Sequence, residues 1–181
     1  MKRFVWAMAA LCPALCVGAG VAYRLTGRAP FLALAITFGT IAYHFLMRLA
    51  VGGLFSLIMK DRADLSGRWY RQRAWEPRLY SLLGVKNWKR ILPTYKPEAF
   101  DLSKHSPSEV AEAMCQAELV HETCAVLSLV PILFAIPFGE LAVFLITSIL
   151  CFVMELALVA AQRYNRPRIM RLIGRRGTNT K

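Results

Sequence analysis

Acidic residues are scarce in this chain: 11 Asp/Glu stand against 23 Lys/Arg, a net charge of +12 over 181 residues. Histidines are scarcer still, three in all. The single Glu-x-x-His, Glu118 to His121, has no second copy, and a di-metal bundle needs the motif twice; no metal site is expected. The five cysteines include no C-x-x-C pair, and Cys12, Cys16, Cys124 and Cys151 sit in apolar runs. That excludes a disulfide framework and reads them as small buried hydrophobes. Neither Cys12 nor Cys16 follows the small residue that a lipoprotein signal places there. No internal repeat and no low-complexity segment interrupts the chain.

Apolar residues, by contrast, are abundant: 56% of the chain, with a mean hydropathy of +0.41. An integral membrane protein fits these numbers better than a soluble domain. A basic excess can mean nucleic acid, but those charges would line a soluble face. Here they flank apolar segments, which points to a bilayer with anionic lipids and excludes nucleic acid as a partner.

The stretch Gln116 to Cys124 organises the rest. It opens an apolar run reaching Phe138, yet carries Glu118, His121 and Glu122 in its first turns. On a helix these fall within a wedge of roughly 100°. Ionisable groups are costly in hydrocarbon unless paired or wet, so such a cluster marks a functional site. The alternative is that the span simply begins at Leu119 and leaves the three solvated among headgroups.

Four parts follow along the chain. Residues 1–59 hold two apolar spans. The first, Phe4 to Tyr23, fits a signal peptide with a small-residue site near Val17-Gly18-Ala19, or a transmembrane helix; its near-complete ~20-residue length favours the helix. The second, about Pro30 to Met59, is longer than a bilayer needs and contains His44 and Arg48 on one face. Residues 60–115 form a basic aromatic segment. Between Lys60 and Lys96 it sets ten Lys/Arg, with Trp69, Tyr70, Trp75, Tyr80, Trp88 and Tyr95 among them, against three acids. Beside apolar spans this composition reads as an interfacial amphipathic segment. Ser108 is the expected N-cap of a helix through Glu109 and Glu112.

Residues 116–161 hold two more spans, Leu119 to Phe138 and Leu141 to Ala161, joined by a tight turn at Gly139-Glu140. Glu155 lies two turns from the end of the last, and Arg48 is its expected partner. Residues 162–181 form a basic tail, where pre-proline Arg166 and Tyr164 suggest a shaped turn. With both termini inside, the inner segments hold two, eleven and seven Lys/Arg against only Arg24 and Arg28 outside. That asymmetry fixes both termini as cytoplasmic. The expected fold is an all-α membrane protein with about four transmembrane helices plus a cytoplasmic basic interfacial segment.

Several stretches then carry a resemblance. They are Arg68-Trp69-Tyr70-Arg71, Leu83-Gly84-Val85-Lys86-Asn87-Trp88-Lys89 with Leu92-Pro93, Ala117-Glu118-Leu119-Val120-His121, and Gln162-Arg163-Tyr164-Asn165-Arg166-Pro167-Arg168. Together they are similar to the glycosyl-4,4′-diaponeurosporenoate acyltransferase family over roughly Gly67 to Arg176. The Arg-Tyr-Asn-Arg-Pro-Arg element is the most specific part. The resemblance implies a multi-pass protein of the bacterial cell membrane that esterifies the sugar of a glycosylated carotenoid acid with a fatty acid. It implies no cofactor, only an acyl donor such as acyl-CoA or acyl-ACP as co-substrate. It also implies substrate or headgroup contacts from Arg68, Trp69, Lys86, Trp88, Lys89, Arg163, Tyr164, Asn165, Arg166 and Arg168. The chain departs from the carotenoid enzymes at Glu122, where they place an aromatic, and in an additional N-terminal span.

Acyl transfer to a hydroxyl needs a base and a stabilised oxyanion. His121 is the candidate base, with Glu118 or Glu122 to orient its ring. Arg163, Arg166 and Arg168 are candidates to hold a donor or headgroup phosphate, and Cys124 is a conceivable acylated nucleophile. Two other classes stay open: a non-catalytic membrane scaffold gripping anionic lipid, and a transacylase drawing on phospholipid.

Overall fold

The computed structural model describes the backbone of residues 1–178 and side chains as far as Gly174. Lys181 and the side chains of Arg175 and Arg176, counted above in the basic tail, lie outside the described residues. Over those residues the chain is 79% helical and has no strand. Four of its helical stretches are long and apolar enough to cross a membrane: Lys2–Thr26, Ala29–Met59, Pro107–Phe138 and Leu141–Gly174. The all-α membrane architecture read from composition is the one observed.

The chain divides into two compact units. The first comprises residues 1–52 and 123–154, the second 53–122 and 155–181. Of all the charged side chains, only Lys2, Arg3, Arg24, Arg28, Arg48 and Glu140 belong to the first.

In the first unit, α1 (Lys2–Thr26) ends where Gly27 turns left-handed at φ 66° and gives its amide to the Tyr23 carbonyl; a residue without Cβ adopts that conformation at no steric cost. Helix α2 (Ala29–Met59) starts two residues later. The two helices approach closely at Gly39, where a Cβ would stand 3.1 Å from Cys16 Sγ, and Phe4 meets Phe45 edge-to-face at 6.0 Å. Outward, Trp6, Leu15, Val17, Leu34 and Leu46 are exposed. In water such a surface is an aggregation hazard; in lipid it is the expected one.

The third apolar run is not one helix. Helix α5 (Pro107–Leu127) stops, a 3-10 turn spans Val130–Phe134, and the short α6 (Ala135–Phe138) completes it. Pro131 is the cause, since it lacks the N–H that would bond the Leu127 carbonyl. Tyr43 supplies the missing donor, its hydroxyl 2.9 Å from that oxygen. In a medium without water, a side chain from a neighbouring helix is the means to satisfy a freed backbone group. The turn expected at Gly139-Glu140 is present, both residues having positive φ.

In the second unit, α5 begins earlier than expected. Ser106, not Ser108, caps it: its Oγ accepts from the Glu109 amide at 3.3 Å, while Glu109 Oε2 accepts from the Ser106 amide at 2.8 Å. This is a capping box, and Pro107 takes the first helical position, where its missing N–H costs nothing. Ser108 instead donates to Glu112. Residues 60–106 are mostly turns, with a 3-10 turn at Arg68–Tyr70, α3 (Glu76–Leu82) and α4 (Val85–Trp88). Gly84, left-handed at φ 62°, separates α3 from α4.

The basic tail is the main correction. Helix α7 (Leu141–Thr178) runs straight through Pro167, where a turn was expected. Pro167 forgoes the bond to the Arg163 carbonyl and pre-proline Arg166 stays helical against its preference. The side chains of Arg163 and Arg166 are both anchored in the same unit, as described next, and this offsets the cost.

Candidate functional site

Residues 163 and 166, three apart on α7, present both guanidinium groups to one side. Facing them is the fully buried carboxylate of Glu118 on α5. Arg163 Nη1 donates to Glu118 Oε1 at 2.5 Å, and Arg166 Nη1 donates to Glu118 Oε2. Arg163 also grips Glu76 of α3, with Nη2 to Oε1 at 2.6 Å. Glu76 is itself buried and lies 3.3 Å from the Tyr80 hydroxyl, which donates to it.

The same two arginines hold backbone. Arg163 donates to the carbonyls of Trp69 and Arg71, both at 3.1 Å, and Arg166 donates to the carbonyl of Tyr70 between them. Three successive carbonyls, from the end of the 3-10 turn and its C-cap, are thus tied to α7. Arg166 lies over the Tyr70 ring, 5.4 Å from its centroid. Gly67 makes room for that ring: a Cβ there would meet Tyr70 at 3.3 Å and the Asp64 carbonyl at 3.1 Å. Two carboxylates and two guanidinium groups make a neutral, hydrogen-bonded set, the condition under which buried charge is tolerable. Burial and the nearby acids hold both phenols protonated. Tyr70 is raised by burial, with Cys115 and Glu118 adding to it; Tyr80 is pushed up to about 12 by burial and then Glu76.

His121 stands one turn after Glu118, half-buried. Its Nδ1 lies 2.7 Å from Glu155 Oε2, and Glu155 is fully buried on α7. The carboxylate beside the imidazole is therefore Glu155, not Glu118, whose oxygens both go to arginine. Spacing along α5 suggested Glu118, but residues i and i+3 both project toward the neighbouring helix and there find different partners. An ionised carboxylate beside Nδ1 accepts a hydrogen bond from the N–H there, which leaves the lone pair of a neutral imidazole on Nε2. Glu122 accepts from Trp69 Nε1 at 2.8 Å, so it too is engaged away from the imidazole.

A second group gathers around Tyr164. Lys89 Nζ lies 4.7 Å and the Arg168 guanidinium 4.8 Å from the centre of its ring. Lys89 donates to Asn165 Oδ1, and Arg168 Nη2 is 2.9 Å from the Tyr164 hydroxyl. Tyr80 meets the same ring edge-to-face at 6.1 Å. Lys89 is lowered from the usual lysine value by burial, then by Arg168 and Arg90. Of the remaining candidates, Arg68 and Lys86 are exposed, and Trp88 donates to the Leu83 carbonyl at 2.8 Å. Arg48 sits half-buried on α2 in the first unit, and Cys124 is buried there. Among the described residues no group of three or more His, Cys, Asp or Glu is arranged to hold a metal.

Sequence reasoning missed Glu76 and the role of Glu155. Glu76 had a signal: it is the sole acid between Asp64 and Glu98 in a strongly basic segment, set just before Pro77. Glu155 had none that pointed to His121, since 34 residues separate them. Among known proteins, residues 66–175 match the family model described as glycosyl-4,4′-diaponeurosporenoate acyltransferase. That range holds every residue of both groups just described. No curated protein and no solved structure matches the chain.

Proposed function

The chain belongs to the glycosyl-4,4′-diaponeurosporenoate acyltransferase family, and from that premise we propose that it transfers a fatty acyl group to a sugar hydroxyl of a membrane glycolipid, with His121 as general base. The acceptor is a glycosylated carotenoid acid or a glycolipid of the same chemistry, and the donor is an acyl thioester such as acyl-CoA or acyl-ACP. The supporting observation is the 2.7 Å contact between His121 Nδ1 and the buried Glu155 carboxylate, inside the residues that match the family.

In this reading Nε2 takes the proton of the sugar hydroxyl as its oxygen attacks the acyl carbonyl carbon. The new C–O bond forms, the tetrahedral intermediate collapses, the C–S bond of the donor breaks, and the imidazolium returns the proton to the departing thiolate. Glu155 holds the ring in the productive tautomer and stabilises its charged form. The Glu76/Glu118/Arg163/Arg166 set touches no reacting group; it fixes the 69–71 turn. We place the four apolar helices in the bacterial cell membrane with both termini cytoplasmic, following the basic-residue asymmetry.

Lipid extraction and mass spectrometry of cells with and without the gene test the proposal. An acylated glycolipid should appear with it, and His121→Ala should reduce that product by ~10²–10⁴-fold at normal protein level. Glu155→Gln should lower turnover and add little once His121 is gone, because the pair acts as a unit. A lipid profile that does not respond to His121→Ala would favour a non-catalytic scaffold gripping anionic lipid.

A further inference from the structure

The arginines of the Arg163-to-Arg168 element fall into two kinds. Arg163 and Arg166 spend their donors on Glu76, Glu118 and three carbonyls. Arg168 and Lys89 have no carboxylate within ion-pair distance among the described residues. Their recorded partners are the Tyr164 ring, the Tyr164 hydroxyl and Asn165 Oδ1. Both cations therefore keep donors for something else, and they are fixed on the same ring about 5 Å from its centre. Arg90 adds a third positive charge close enough to depress the Lys89 ammonium. Holding like charges together costs free energy that an arriving anion repays.

We infer that Lys89 and Arg168, mounted on Tyr164 and Asn165, form a phosphate-binding site that no carboxylate among the described residues neutralises. Its ligand is a phosphate ester. Guanidinium offers the planar fork suited to two phosphate oxygens, and lysine offers a point charge beside it. This deepens the acyl-transfer reading and rests on it for one thing only, the expectation that the phosphate belongs to an acyl donor. Such a phosphate has two sources: the nucleotide or phosphopantetheine part of a soluble thioester, or the headgroup of a phospholipid.

Equilibrium binding without turnover tests it, using the full chain in a non-ionic detergent free of phospholipid. The probes are coenzyme A and, separately, short-chain phosphatidylglycerol. At least one should bind, with affinity that falls as salt rises. Lys89→Gln and Arg168→Gln should each weaken that binding roughly tenfold or more, the worth of a charged hydrogen bond. Arg168→Lys, which keeps the charge but not the fork, should fall between. Arg171→Gln, one turn further on the same helix, should leave it unchanged. Thermal melting of each variant separates loss of the site from loss of the fold. Binding of coenzyme A alone identifies a soluble donor; binding of the lipid alone identifies a headgroup site. Failure of both probes to bind, or affinities indifferent to residues 89 and 168 in folded variants, overturns the site. His121→Ala should keep full binding while losing transfer. A site that binds in a protein with no transferase activity would count against acyl transfer and leave the phosphate site standing.

Discussion

Glu118 is where the spacing along one helix and the folded geometry give opposite forecasts. As an orienter of His121, its conversion to Gln would lower turnover and spare stability. The structure instead buries both its oxygens against Arg163 and Arg166. Arg163 keeps Glu76 as a second acid, whereas Arg166 has no other carboxylate among the described residues. Removing Glu118 therefore strands Arg166, which is only 4% exposed. Breaking one partner of a buried ion pair costs ~3–5 kcal/mol. For a chain of this size that is a fall in melting temperature of roughly 6–20 °C. Glu118→Leu should show it in a thermal assay in detergent, and Glu118→Gln should show a smaller part. The double variant Glu118→Leu/Arg166→Leu should be more stable than Glu118→Leu alone, because the stranded charge is gone. The reasoning is refuted if Glu118→Gln melts like the parent while losing as much acyl transfer as His121→Ala; that pattern belongs to a catalytic residue.

Three further outcomes are expected. Tyr43→Phe should cost ~1–3 kcal/mol by leaving the Leu127 carbonyl bare, and Pro131→Ala in that background should restore much of it by returning a backbone donor; equal melting of Tyr43→Phe and parent would count against the bond. Tyr80 keeps its proton in the fold to about 12 against 10.0 ordinarily, so the stability it confers is complete below pH 10 and lost as pH rises from about 10 to 12. Circular dichroism across that range should show the loss shrinking in Tyr80→Phe, and identical alkaline profiles would refute it. Single cysteines placed between Lys60 and Ser108, in a background freed of the five native ones, should resist a membrane-impermeant reagent added outside intact cells; ready labelling would overturn the orientation.

How much of this was legible in the sequence depends on the range over which each feature acts. The four apolar stretches could be read directly, because hydropathy over ~20 residues is a property of the stretch itself. So could the Gly139-Glu140 turn, where two adjacent positive-φ residues separate apolar runs. The helix start slipped by two residues because Ser106 and Ser108 both offer a hydroxyl. Only the reciprocal bond from Glu109 back to the Ser106 amide distinguishes them. The break after Leu127 was marked by Pro131. Its consequence was not, since the donor that answers it comes from Tyr43, 84 residues earlier.

The site divides along the same line. That Glu118, His121 and Glu122 belong together was visible as helical spacing, but helical spacing only says which side chains leave on a common face. It does not say that the carboxylate of one will be claimed by arginines from α7 while the imidazole takes Glu155. The pre-proline rule made the same kind of error at Arg166. Taken alone, Arg166-Pro167 should leave the helical region, by a local preference that Pro167 enforces with one lost hydrogen bond and a crowded carbonyl. Against it stand the ion pair of Arg166 with Glu118, its bond to the Tyr70 carbonyl and its seat over the Tyr70 ring. All three need Arg166 on the face of α7 that meets Glu118 and Tyr70. A turn at residues 166–167 would loosen the hold of Arg166 on Glu118, whose other oxygen Arg163 keeps, and would part Arg168 from Tyr164 across the proline; those contacts together oppose what the proline exacts for staying in the helix.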